Sequence, residues 1–179
     1  PGRDDKYWEE CLANDYICVG WDDTGDLTAF ENRETFDDHF RDLYADRYNE
    51  HEPTIQQKAD EVWALREIAP GDIIIANQGK SKVLAVGEVV SPGYVWDEER
   101  DEFRHTVRVN WDTSFAQEIP TQERWGFHTV LPVSEGLYEC ILNKDCWALA
   151  PVNVVETLKG WLNANGFHFT PWQIATFFT

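Results

Sequence analysis

Three aromatic side chains, Trp21, Tyr94 and Trp96, follow predicted strands or turns and could form stacking surfaces. Tyr94 and Trp96 are two residues apart, so both rings point to the same side of an extended backbone. Asn77 and Ser81 lie in a polar loop between two apolar runs. Aromatic faces beside amide and hydroxyl groups suit a nucleobase that has left its stack, because rings cover its faces and polar atoms read its edge. The simpler alternative, which the residues alone favour, is that these rings fill a core.

The sequence lacks the common motifs for catalysis and metal binding. It has no phosphate-binding glycine loop and no G-x-S-x-G nucleophile turn. Asp22, Asp23 and Asp26 lack the calcium-loop pattern and are typical of a hydrogen-bonded turn. His105 lies on the predicted inner face of a strand, as a core histidine would. We therefore predict no catalytic residue, no metal ligand and no cofactor.

The four cysteines, Cys11, Cys18, Cys140 and Cys146, contain no C-x-x-C pair. A chain of this length can build a sufficient core without disulfides. We therefore predict four reduced thiols that act as small buried side chains in a cytoplasmic protein.

The charge of the chain is strongly acidic, with 33 Asp and Glu against 15 Lys and Arg and a formal net charge of -18. Such a surface generally repels nucleic acid and membrane headgroups. Residues 1–60 hold 17 acidic and six basic side chains, whereas residues 76–128 hold nine and six, which allows a local basic face there. The acidic excess elsewhere fits either solubility or a high-salt cytoplasm. The apolar runs are too short to predict a transmembrane helix.

Apolar periodicity predicts helices first, then a mostly antiparallel sheet, then C-terminal helices. The predicted helices cover residues 4–14, 33–48, 54–68 and 152–164, and the predicted strands cover 16–21, 73–76, 82–90, 103–111 and 130–133. The predicted fold class is α+β, with a sheet curled into a partial barrel in residues 1–150 and helices in residues 151–179. A last helix starts at Trp172 and stops within one or two turns, so we expect a fragment of a longer protein.

Several short motifs, in their order along the chain, resemble one protein family. They are YICVGWDDTGDL at 16–27, PGD at 70–72, IIIANQGKSKVLAVGEV at 73–89, GYVW at 93–96 and RH followed by VNW in 104–111. This order is similar to the PUA-like, EVE-related domain at the N-terminus of McrB-like, modification-dependent (type IV) restriction proteins. Residues 169–178 also resemble the segment that precedes the AAA+ domain in such proteins.

The resemblance implies a small β-barrel of the EVE and YTH type with flanking helices. Several such domains flip a methylated base into an aromatic cage. Trp21, Tyr94 and Trp96 correspond to cage positions, and Asn77 and Ser81 correspond to positions near the edge of the base.

The same correspondence places Asp22 where it could accept a hydrogen bond from an exocyclic amino group of the base. Charge and placement suggest Lys80, Lys82, Arg104 and Arg108 as contacts to the nucleic-acid backbone. Each of these four could instead be an ordinary solvated charge.

The function that the resemblance implies is a DNA-binding specificity module without catalytic activity of its own. It would recognise a methylated or hydroxymethylated base, such as 5-methylcytosine or N6-methyladenine, in double-stranded DNA. An AAA+ motor domain and a nuclease subunit would be its partners in the full restriction system, with no membrane involved. Three alternatives stay open: an RNA-modification reader or RNA-binding PUA-like regulator, a hydrolase that uses His105 or Asp22, and a structural domain with all aromatics buried.

Overall fold

A computed structural model describes residues 6–146 of the protein. The helices are α1 (Trp8–Ala13), α2 (Arg33–Tyr44), α3 (Glu52–Glu67) and α4 (Glu135–Asn143), and the strands are β1 (Tyr16–Val19), β2 (Ile73–Gln78), β3 (Lys82–Trp96), β4 (His105–Asp112) and β5 (Gln117–Glu118). The α+β fold class is therefore confirmed. The helices predicted at 152–164 and from Trp172 lie outside the described residues.

The sheet is antiparallel throughout and curls into a half-barrel with helices on its flanks. Its strand order is β1-β4-β3-β2, and the short strand β5 pairs with the beginning of β3. The start of β4 lies between the ends of β1 and β3, because His105 is opposite both Val19 and Trp96. Residues that are distant in the sequence therefore meet at this end of the sheet.

Gly87 allows β3 and β4 to pack closely where the sheet curls. A Cβ atom at this position would lie 2.3 Å from the Val109 side chain and 2.6 Å from the Trp111 ring. These separations are far below van der Waals contact, so only glycine fits without a shift of the neighbouring strand.

The main core lies between the sheet and helices α2 and α3. Phe36 and Phe40 of α2 and Val62 of α3 are fully buried and belong to one cluster with Val107 and Val109 of β4. Phe36, Phe40 and Tyr44, which helical spacing predicts on one face of α2, are buried in this core, whereas Leu43, predicted for the same face, is exposed. Helix α1 belongs to a second cluster, in which its Trp8 and Cys11 pack with Tyr16 and Cys18 of β1.

One prediction for the region after β4 was wrong, and one helix there was not predicted. No strand forms at residues 130–133, and helix α4 follows instead. Ser134 caps α4 by accepting a hydrogen bond from the Leu137 N–H, and Cys140 and Ile141 bury its inner face. The helix is only nine residues long, so its periodicity is a weak signal in the sequence.

The cysteine prediction was right for one pair and wrong for the other. Cys11 and Cys18 are buried free thiols, but Cys140 and Cys146 form a disulfide. Lys144 adopts a left-handed conformation after α4 and reverses the chain, which brings the Cα atoms of these two cysteines within 4.6 Å.

No helix in residues 6–146 is long and apolar enough to cross a bilayer.

Candidate functional site

The three predicted cage aromatics lie at one end of the half-barrel. Trp21 follows the end of β1, and Tyr94 and Trp96 lie in the last residues of β3. His105 of β4 links them, since its ring lies 4.9 Å from the Trp96 ring and 6.0 Å from the Tyr94 ring. All three aromatic side chains are half-buried. Their exposure is intermediate, and Trp21 and Tyr94 also pack against the main core. We call this group the aromatic end.

A chain of hydrogen bonds through His105 fixes the backbone of the aromatic end. The Tyr94 hydroxyl accepts from the Leu27 N–H (3.2 Å) and contacts His105 Nδ1 (2.9 Å). His105 Nε2 contacts Thr24 Oγ1 (3.0 Å) and the Trp21 carbonyl (3.3 Å). Because a carbonyl can only accept, this network assigns the imidazole proton to Nε2 and makes Nδ1 the acceptor of the Tyr94 hydroxyl.

His105 is consequently a neutral structural group. Its side chain is 0% exposed, and burial lowers its pKa below the ordinary value, although the Trp21 carbonyl and the carboxylates of Asp22 and Asp26 oppose this shift. Burial also raises the pKa of Tyr94. Both ring nitrogens of His105 are engaged, which leaves no free nitrogen to serve as the catalytic base of a hydrolase.

Asp22 joins the two loops that surround the aromatic end. Its two carboxylate oxygens accept the backbone N–H groups of Phe103 (2.8 Å) and Arg104 (2.7 Å). The adjoining Trp21 and Phe103 have positive φ angles of 70° and 57°, which are uncommon for bulky residues. Asp22 thus offsets local backbone strain. Its hydrogen bond to an exocyclic amino group of a base stays a prediction.

The Trp21 side chain is also held in place. Its indole Nε1–H donates to the hydroxyl of Tyr48, at 2.9 Å, in the segment between α2 and α3. Sequence analysis missed Tyr48, Thr24 and Leu27 as parts of the site. Their only signal in the sequence is a position near a turn, because their roles depend on contacts between distant segments.

The hairpin between β2 and β3 lies at the other end of β3. Asn77 donates to the Gly79 carbonyl (2.8 Å), and the Ser81 carbonyl accepts from the Ile119 N–H (2.7 Å). Ser81 immediately precedes the first residue of β3, whereas Tyr94 and Trp96 lie among its last three residues. The structure therefore divides the six predicted base-binding residues between two places. We call residues 77–82 and the adjoining segment 119–128 the hairpin end.

An open groove extends along the molecule past Trp21 and Asn77. Residues 17–21, 72–79, 124–126 and 128–133 line it, together with one side of α3. Its volume is about 1970 Å³, whereas a pocket for one small molecule has roughly 300–1,000 Å³. Charges of both signs line it. Its size suits an extended ligand better than a single enclosed base.

The predicted backbone contacts are spread over both ends. The Arg104 guanidinium lies 5.9 Å from the Trp96 ring and Arg108 lies on an exposed part of β4, while Lys80 and Lys82 belong to the hairpin end. Lys80 forms an ion pair with Glu123, at 2.7 Å. These four cations therefore do not form one continuous basic face.

Comparison with known proteins identifies a family but no named relative. None of the curated proteins and none of the solved structures matches this chain. A family model described as "Domain of unknown function (DUF8426)" matches residues 2–128. Because this match covers more than half of the chain, the protein belongs to that family.

Proposed function

We propose that the protein is a PUA-like module that recognises a modified base in DNA. The base would leave the duplex and stack on the aromatic end, chiefly on Trp21 and Trp96. Tyr94 and Asp22 would position these rings through their hydrogen bonds to Leu27, Phe103 and Arg104. In this role the module would give a modification-dependent restriction system its specificity, with an AAA+ motor and a nuclease as further components.

One observation carries this proposal: the Trp21 carbonyl and the rings of Tyr94 and Trp96, from distant parts of the chain, all contact the same buried His105, in a backbone that hydrogen bonds hold in place. Trp21 keeps a strained conformation, and both its carbonyl and its indole N–H have partners. Residues that their surroundings hold in a strained conformation are concentrated at binding sites. A site that is already rigid loses less conformational entropy when a ligand binds. A pre-organised aromatic surface of this kind suits a flat ligand.

Selectivity for the modified base needs more than contact with a methyl group. Burial of one methyl contributes only about 0.8 kcal/mol, which is less than a tenfold difference in affinity. Further discrimination would come from the edge of the base. Gly20 lines the groove beside Trp21, and its backbone groups would supply such hydrogen bonds.

The net charge of -18 implies that DNA binding by this chain alone is weak and sensitive to salt. Arg104 and Arg108 would contact phosphates near the aromatic end, and Lys80 and Lys82 would do so near the hairpin end. The motor domain would contribute additional affinity in the full system.

RNA is the second candidate ligand, and the size of the groove favours it. A groove of about 1970 Å³ can hold several nucleotides of a single strand, and single strands need no base flipping. The same rings would then stack on an RNA base.

Fluorescence anisotropy at low salt tests both candidates. One duplex is compared unmodified and with 5-methylcytosine, 5-hydroxymethylcytosine, N4-methylcytosine or N6-methyladenine, beside single-stranded RNA with and without N6-methyladenine. Trp96→Ala is the site variant, and Leu43→Ala, on an exposed part of α2, is the control. Selective binding of one modified duplex that only Trp96→Ala abolishes supports the proposal. Equal or absent binding of all five duplexes excludes it, and selective RNA binding supports the alternative.

A further inference from the structure

Phe127 is an apolar ring that the fold leaves in solvent. It is 68% exposed, more than any other large hydrophobic side chain in residues 6–146, of which the next, Ile73, is 44% exposed. A single exposed apolar side chain is common on protein surfaces and needs no explanation by itself. Phe127 differs from such a side chain in two respects: its backbone is anchored to α3, and a cation lies beside its ring.

The backbone that carries this ring is anchored to α3. The Phe127 carbonyl accepts hydrogen bonds from Lys58 Nζ (2.8 Å) and Gln57 Nε2 (3.3 Å). Glu61, which is 3% exposed, pairs with the same Lys58 Nζ (2.9 Å) and accepts from the Thr129 N–H (2.8 Å). The backbone is thus held at the Phe127 carbonyl and two residues further on, at Thr129. The ring projects from a rigid support rather than from a loose loop.

One cation lies over the ring in an otherwise acidic chain, and a second is in the same segment of the sequence. Lys80 Nζ lies 5.2 Å from the centre of the Phe127 ring. Arg124 is exposed and has no ion-pair partner within residues 6–146. The hairpin end holds three cations, Lys80, Lys82 and Arg124, and its carboxylate, Glu123, pairs with Lys80. An exposed aromatic face with adjacent cations complements a ligand that has both flat rings and negative charge, as nucleic acids do.

We infer that Phe127, Lys80 and Arg124 form a second DNA contact, in which the ring stacks on a base while the two cations contact phosphates. This inference rests on the proposed function, because it assumes the same ligand. Residues on both sides of Phe127 line the groove that also passes Trp21. A strand that delivers its base to the aromatic end would therefore cross the Phe127 ring at the edge of the groove. This contact adds affinity for DNA of any sequence and leaves base selectivity to Trp21 and Trp96.

Substitution of Phe127 tests the inference by anisotropy with the modified duplex and its unmodified counterpart. We expect Phe127→Ala to weaken both duplexes by the same factor, on the order of tenfold, because one stacked base is lost. Phe127→Trp keeps an aromatic face and is expected to keep the affinity. Arg124→Gln is expected to reduce the dependence of log Kd on log salt by about one phosphate contact. Leu43→Ala is the folded control, and the melting temperature of each variant is recorded.

The outcomes separate this inference from the proposed function. Selective binding of the modified duplex with no effect of Phe127→Ala overturns the inference and leaves the function intact. Loss of the modified duplex alone also overturns it, because Phe127 would then belong to the base-reading site. If the unsubstituted protein binds no DNA, both proposals fail.

A different observation concerns the buried thiols of Cys11 and Cys18. Their sulfur atoms lie 3.5 Å apart between α1 and β1, and Nη2 of Arg100 lies 3.9 Å from Cys18 Sγ. Contact with Cys18 lowers the pKa of Cys11. The four cysteines of the sequence thus fall into two close pairs, of which Cys140 and Cys146 already form a disulfide.

We also propose that Cys11 and Cys18 form a second, oxidant-dependent disulfide. With hydrogen peroxide as oxidant, the Cys11 thiolate attacks one oxygen, the O–O bond breaks, and a sulfenic acid and hydroxide form. The sulfur of Cys18 then attacks Cys11, loses its proton and displaces the hydroxyl as water. The two thiols together lose two protons and two electrons, which reduce the peroxide to two waters. The new bond would link α1 to β1, the strand that precedes Trp21.

Mass spectrometry and thiol labelling of the folded protein test this second proposal. After mild peroxide treatment we expect a peptide cross-link between Cys11 and Cys18, loss of both free thiols and a higher melting temperature. Cys11→Ser and Cys18→Ser are expected to show none of these changes while they stay folded. Overoxidation to sulfinic acid, cross-links between chains or unreacted thiols would each overturn it.

Discussion

The aromatic end and the hairpin end show two different ways of building a surface for the same kind of ligand. At the aromatic end, the buried His105 and the partly exposed Asp22 form hydrogen bonds that hold the backbone, and half-buried rings provide the surface. At the hairpin end, the buried Glu61 holds the backbone, and an exposed ring with cations is presented. In both places polar side chains hold the backbone through hydrogen bonds, and aromatic rings supply the area proposed to contact the ligand. The two surfaces differ in exposure, because the aromatic residues of the first are half-buried whereas Phe127 of the second is 68% exposed.

The largest expected effect concerns the support of the hairpin end. Removal of one partner from a buried, hydrogen-bonded charge network leaves the other partner uncompensated, so Glu61→Ala should lower the free energy of unfolding by about 3 kcal/mol. Asp60→Ala is the matched control, because its carboxylate is largely exposed and pairs with Arg33; its cost should be below about 1 kcal/mol. Urea unfolding measures both. Similar small losses would show that Glu61 does not anchor this end.

The next effect compares the polar groups that were predicted to read the base. Asp22→Ala removes the carboxylate that accepts hydrogen bonds from the Phe103 and Arg104 N–H groups and should cost about 2 kcal/mol of stability. Asn77→Ala removes one exposed, neutral hydrogen bond and should cost less than about 1 kcal/mol. Equal costs in urea unfolding would contradict the view that the aromatic end depends on its polar network more than the hairpin does.

A smaller effect is expected from pH, and it should be confined to the aromatic end. Because His105 has a lowered pKa when folded, the unfolded chain binds its proton first as the pH falls below about 6.5. The stability that His105 contributes is therefore fully present above that pH and decreases below it, until the pH reaches the lowered folded pKa. Thermal unfolding of the protein and of His105→Gln between about pH 5 and pH 8 measures this. A steeper fall in the variant would contradict the assignment.

The sequence predicted the strands of this fold better than the roles of its polar residues. The alternation in residues 105–110 shows which residues of β4 face the core, since Val107 and Val109 are buried and Arg108 and Asn110 are exposed. The role of Asp22 depends on the contact between two loops about 80 residues apart in the chain, which no local pattern reveals. Exposure of Phe127 was equally hidden, because an isolated aromatic residue in a sequence is usually a core residue.

The smallest predicted effect is on the salt dependence of DNA binding, and it tests whether one DNA molecule contacts both ends. Arg104 lies beside Trp96, and Lys82 lies at the start of β3, so each cation reports on one end. If both neutralise phosphates, Arg104→Gln and Lys82→Gln should each reduce the slope of log Kd against log salt by about 0.9 and weaken all duplexes uniformly. Lys144→Gln, at the end of α4, is the control and should leave the slope unchanged. A change for Arg104→Gln alone would mean that DNA follows only the aromatic end, and the two surfaces would then serve different ligands.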